Sequence, residues 1–114
     1  MRKDEAWLLD VLLACREALE FVDGVSQEEF LGDRQLQSAV SMKLEIIGEA
    51  ARALSAECKQ AHPDIPWQAI VGLRHRIVHE YFRLDLDIIW DILQKDVPEL
   101  IGLVQPLVPP EDEV

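Results

Sequence analysis

Positive charge is scarce in this chain: 11 Lys and Arg residues face 22 Asp and Glu, a net charge of −11 over 114 residues. Phosphate contacts need Lys and Arg, so binding of nucleic acid by bulk electrostatics is excluded. No DNA partner is expected, and any RNA contact must be local. Cysteine is also rare. Cys15 and Cys58 lie within helical patterns, without the spacing of a disulfide framework or a metal site. A reduced cytoplasm is the expected setting. No apolar run approaches the roughly 20 residues of a membrane span. Met1-Arg-Lys is followed at once by Asp4 and Glu5, so no signal peptide is expected. Internal repeats and strand-like alternation are both missing, and Tyr81 is the only tyrosine.

What remains is helical periodicity. Trp7, Leu8, Val11, Leu12, Cys15 and Leu19 recur at spacings of three and four, giving a helix over 4–22 that Asp23-Gly24 ends. Ser26 with Glu29 has the form of a capping box opening a short turn through Phe30. Asp33 caps a long helix to about Leu54, and Ser55 to Gln60 forms a further helical turn. Pro63 and Pro66 make 62–66 a loop. Trp67 to about Phe82 is the next helix. Asp85 caps the last one, which Pro98 should kink or restart because proline removes a backbone donor. The chain is thus expected to be all-α, an up-and-down bundle of four main helices. One domain spans 1–108, large enough to bury a core, and 109–114 form an acidic flexible tail.

The second long helix carries more apolar surface than one core needs. Leu36, Val40, Leu44, Ile47, Ala51 and Leu54 form a stripe, and Ala39, Ile46, Ala50 and Ala53 widen it. A two-fold homodimer is therefore expected. Lys43 projects from the middle of this arc and Glu49 from its edge. Lys43 reads either as a snorkelling side chain or as a cleft contact. Glu49 reads either as a partner for Arg52 or as a cleft residue beside it.

The chain's cations concentrate in one place. Arg74, His75, Arg76, His79 and Arg83 fall within ten residues. On a helical wheel, Ile70, Arg74, Ile77 and Tyr81 share a stripe, which puts a guanidinium on an apolar face. There it must meet a carboxylate or sit in an anion site. His79 lies about 140° round from Arg74, so a lone helix does not pair them. Unwinding near Glu80, or a two-fold groove lined by both copies, would. His75 and His79 share a face, but zinc wants a third or fourth ligand and position 76 is an arginine. No metal or other cofactor is expected. No Ser or Cys nucleophile lies near, there is no Gly-rich phosphate loop, and Gly72 reads as a point of close helix approach.

Arg and His without a metal suit RNA cleavage by its own 2′-hydroxyl, with a histidine as base and an arginine on the phosphorane oxygens. They suit a polar network at an interface equally well. Arg74-x4-His79-x-Tyr81 is also a known signature. Leu44-Glu-Ile-Ile-Gly-Glu-Ala-Ala51, His62-Pro-Asp-Ile-Pro-Trp67 and Asp85-Leu-Asp-Ile-Ile-Trp-Asp91 extend the likeness over nearly the whole chain. In these blocks the sequence resembles the HEPN superfamily, specifically the HepT-like toxins of prokaryotic toxin–antitoxin pairs. The resemblance implies a metal-independent endoribonuclease with its cleft at the homodimer interface. Arg74 and His79 would be catalytic, with Lys43, Glu49, His75 and Arg76 as candidate RNA or cleft contacts. It also implies a minimal nucleotidyltransferase antitoxin that transfers AMP onto Tyr81. The competing expectation is a non-catalytic HEPN dimer that binds a nucleotide or a partner protein.

Overall fold

A computed structural model describes residues 2–109, and every described element is helical. Residues 110–114, most of the expected acidic tail, lie outside the described residues. Helix α1 (Asp4–Phe21) opens with Asp4 and Glu5 where the helix dipole favours anions, and buries Leu8, Val11, Leu12, Cys15 and Ala18. It stops where Gly24 takes φ +73°, a left-handed conformation that glycine tolerates best. Burial pushes the Cys15 thiol up to about 12, so it behaves as a core hydrophobe.

Ser26 and Glu29 form the reciprocal capping box of α2 (Gln27–Gly32), and its Phe30 is fully buried against Trp90 at 5.3 Å between ring centroids. Asp33 accepts from the Leu36 amide at 3.0 Å and starts α3 (Arg34–Ala53). Lys59 on α4 (Ala56–Ala61) reaches back to the carbonyls of Ala51 and Arg52 at 3.1 and 3.4 Å. A cation thus closes the C-terminal end of α3. Asp4 accepts from both the amide and the hydroxyl of Ser55, at 2.9 and 2.6 Å, fixing the start of α1 to the start of α4.

The proline loop is clamped by the Trp67 indole, which donates to the His62 carbonyl at 3.0 Å. Helix α5 (Trp67–Glu80) follows, then a 3-10 turn over Tyr81–Arg83. Asp85 caps α6 (Leu86–Asp91) through the amides of Asp87 and Ile88. As expected, the helix restarts at Pro98, which lies in the first turn of α7 (Val97–Val104). One π turn over Ile92–Asp96 precedes it, with the Val97 amide donating to the Ile92 carbonyl. Such a π turn is a known way to absorb the donor that proline removes.

Helix α3 is central, packing on α1 at one side and α5 at the other, and α1 also packs on α7. Helix α5 has no extensive contact with α6 or α7. Between them lies an apolar groove of about 570 Å³, floored by Leu44 and Ile47 and walled by Ile70, Leu73, Ile88 and Leu100.

Candidate active site

The site begins with a missing side chain. A Cβ built on Gly48 would lie 2.1 Å from the Cβ of Arg74, 2.9 Å from its Cγ and 3.2 Å from the Ile70 carbonyl oxygen. Helices α3 and α5 therefore cross at a distance only glycine allows. The close crossing carries the stem of Arg74 over α3, and its Nη2 reaches Glu49 Oε2 at 3.3 Å. Gly72, read from sequence as the point of close approach, has no atom within 4 Å of such a Cβ. It lines the open groove instead.

Glu49 is shared between two arginines. Arg52 grips it with Nη2–Oε1 at 2.7 Å and Nε–Oε2 at 3.2 Å, while Arg74 touches it only at the longer distance. The hydrogen bond from Arg52 is the main reason the Glu49 carboxyl is held below its ordinary range. Burial opposes this, and the charges of Arg52 and Arg74 add to it. Arg74 is incompletely served: its Nε is buried with no hydrogen-bond partner, while the side chain as a whole is 26% exposed. Of its guanidinium nitrogens only Nη2 meets a carboxylate, and Nε is shut away from solvent. The structure thus shows the first reading of Arg74, a carboxylate neighbour, beside a pocket of about 210 Å³ lined by Met42, Glu45 and Ile46.

The histidines face elsewhere. His75 and His79 are exposed, with ring centroids 4.4 Å apart and planes inclined by 45°. Helix α5 is regular through His79 and departs only at Glu80, where φ is −133° and ψ 30°. That departure comes one residue too late to rotate His79 towards Arg74. Within one chain the two remain on different faces. Among the described residues, no group of three or more His, Cys, Asp and Glu is placed to hold a metal ion.

The same break takes Tyr81 off the α5 wheel. It sits on the 3-10 turn, 71% exposed, with its ring edge-on to Phe82 at 5.5 Å between centroids. Among the described residues its hydroxyl makes no hydrogen bond. Arg76 lines the apolar groove near Asp85 and Asp96. Lys43 points to the other side of α3, where Nζ meets Glu17 Oε2 of α1 at 2.6 Å. Lys43 and Glu49 therefore do not share a cleft within one chain, although both project from the same helix. The residue that sequence reasoning overlooked is Gly48. Its signal was a glycine inside an apolar helix interior, which costs about 1 kcal/mol against alanine unless close packing needs it.

Comparison with known proteins covers the stretch that carries these residues. A family model described as Ribonuclease HepT-like matches residues 11–107. A protein of Caldanaerobacter subterraneus subsp. tengcongensis with a provisional RNase name is 37% identical over 111 residues, covering 97% of this chain and 99% of its own. One from Methanocaldococcus jannaschii, also provisionally named an RNase, is 35% identical over 99 residues, 87% of this chain and 91% of its own. A protein named Probable ribonuclease HepT from Thermococcus cleftensis is 35% identical over 106 residues, 93% and 96% respectively. No solved structure matches the chain.

Two outcomes are expected. Gly48→Ala should lower the unfolding free energy even though alanine favours helix by about 1 kcal/mol. The added methyl meets the stiff start of the Arg74 side chain, and denaturant titration measures the sign. A stabilised variant would mean that the helices do not cross this closely. Glu49, with its pKa depressed from an ordinary 4.5, contributes stability above that value and loses it as pH falls through the depressed pKa. Glu49→Gln should therefore melt below the parent at neutral pH, with the gap closing in acid. A gap independent of pH would contradict this.

Proposed function

Because the chain belongs to the HepT-like ribonuclease family, we propose that it is a metal-independent endoribonuclease whose site is completed by a second copy of the chain. The carrying observation is the separation of Arg74 and His79 on one continuous helix, the first with unused donors and the second unbonded. Arg74 of one copy binds the scissile phosphate and His79 of the other acts on the attacking hydroxyl. Histidine suits this role, since its ordinary titration lies near neutrality. His79 takes the 2′-hydroxyl proton, the 2′-oxygen bonds to phosphorus and the bond to the 5′-oxygen breaks. The leaving oxygen takes a proton back from an imidazolium. The products are a 2′,3′-cyclic phosphate and a 5′-hydroxyl. The open donors of Arg74 stabilise the extra charge on the phosphorane oxygens.

Dimerisation is supported by apolar surface that one chain leaves uncovered. Met42 is 60% exposed at the edge of the Arg74 pocket, Phe82 is 69% exposed, and Ile88 is exposed at the apolar groove. Among the described residues no helix is long and apolar enough to cross a membrane. The setting we propose is the cytoplasm. Its physiological role is that of a toxin held in check by a minimal nucleotidyltransferase. Tyr81 is the acceptor of AMP: its ring is largely exposed on the 3-10 turn that follows α5, and its hydroxyl has no partner among the described residues. The transfer joins the tyrosine oxygen to the α-phosphorus of ATP and releases pyrophosphate. The added phosphodiester repels RNA and can bind the donors of Arg74. The Glu49 carboxylate on Arg74 favours one other reading, a non-catalytic HEPN dimer binding a nucleotide or partner.

Induced expression should arrest growth, and His79→Ala should reduce cleavage by about 100- to 10,000-fold, the usual worth of general base catalysis. Arg74→Ala should reduce it by about 100- to 1,000-fold, as for an oxyanion donor. Purified protein should cut RNA in excess chelator and leave cyclic-phosphate ends. Cleavage that chelator abolishes, or that survives in both variants, contradicts the assignment. Co-expression with a cognate nucleotidyltransferase should add one AMP per chain by intact mass, and Tyr81→Phe should prevent it. A Tyr81→Phe chain that its partner still silences fully would mean inhibition by occlusion instead.

A further inference from the structure

His75 and His79 have an arrangement that base catalysis does not require. Only one of them is asked to take a proton, yet the two rings face each other from successive turns of a regular helix. Neither imidazole has a hydrogen-bond partner among the described residues. Their centroid separation of 4.4 Å lies at the short limit for an aromatic pair.

That separation suits chelation. A zinc–imidazole bond is about 2.0–2.1 Å, which places each ring centroid roughly 3.2 Å from the ion. Two rings on one ion at an angle of about 90–110° then have centroids about 4.5–5.2 Å apart. A small rotation of either exposed ring closes the gap from 4.4 Å. Helical spacing of four residues supplies the common face, and α5 holds both residues before its break at Glu80. The one cation between them in sequence, Arg76, lines the groove beside α6, where Asp85 and Asp96 also lie. Its repulsion across an exposed surface is screened by water and salt.

We propose that His75 and His79 form a labile site for one borderline divalent ion of the Zn²⁺ and Cu²⁺ class, imidazole being a favoured ligand for both. Two protein ligands are fewer than a structural or a catalytic zinc site uses, so water completes the coordination and the ion exchanges readily. Occupancy ties up the lone pair that His79 needs as a base. The ion is therefore an inhibitor of the chain. This second step rests on the ribonuclease reading above; the binding step does not.

Calorimetric titration of Zn²⁺ into the full chain at neutral pH tests the binding. One saturable site per chain is expected, with no response to Mg²⁺. Loss of an outer-shell partner alone weakens metal sites by about 10–100-fold, so removal of one of two ligands should cost at least about a hundredfold. His75→Gln and His79→Gln should each show that loss, and His62→Gln should bind as the parent does. No saturable heat, or equal binding by His75→Gln and the parent, overturns the site and leaves the rings as a stacked pair only. In a cleavage assay Zn²⁺ should inhibit the parent and chelator should reverse it. The residual activity of His75→Gln should be insensitive at the same concentration. Binding without inhibition would overturn the regulatory step. A chain that binds Zn²⁺ but never cuts RNA would leave the site standing and contradict the ribonuclease reading instead.

Discussion

Everything specific to this molecule depends on how closely α3 and α5 approach at Gly48. The absent Cβ lets the stem of Arg74 lie over α3, which brings its guanidinium to Glu49 and leaves its Nε buried without a partner. Burying an arginine without complete pairing is costly. Here the cost is limited because the head remains partly exposed and one carboxylate stands nearby. On the proposed reading, this is the cation that meets the RNA phosphate.

The same crossing keeps Arg74 and His79 apart within one chain. Fixing Arg74 against α3 sends His75 and His79 outward, because α5 stays helical until Glu80. Had the helix unwound one turn earlier, arginine and histidine could have met within one chain. Instead α5 is a rigid bar with a guanidinium on its inner face and imidazoles on its outer one. The charge pattern agrees with a local site. A chain of net charge −11 cannot draw RNA over its whole surface, so the proposed recognition uses the few cations that α5 and its flanking turn carry.

Much of this was legible in the sequence, and the division between what was and was not is physical. Local signals read correctly: the box of Ser26 and Glu29, the caps at Asp33 and Asp85, and the left-handed stop at Gly24 each act within a few residues. The apolar stripe of α3 likewise gave Val40, Leu44, Ile47, Ala51 and Leu54 as core. Tertiary choices did not read. Gly48 and Gly72 are both mid-helix glycines, and only packing decides which one another helix crosses. Lys43 and Glu49 share a helix, but the position of α1 draws the first away to Glu17. The wheel assumed α5 to run through Tyr81, whereas it ends at Glu80 and places that ring on a separate turn. The restart at Pro98 was legible, but not the π turn over Ile92–Asp96 that precedes it.

The central claim is that the cleaving site joins Arg74 of one copy to His79 of another. Mixing two inactive variants tests it most directly. Arg74→Ala and His79→Ala chains, co-refolded or co-expressed, would form mixed dimers in which one of two sites has both residues intact. Such dimers should recover roughly half the activity of the parent dimer, whereas each variant alone stays inactive. A mixture that exchanges subunits and yet cuts no RNA would contradict a site shared between copies.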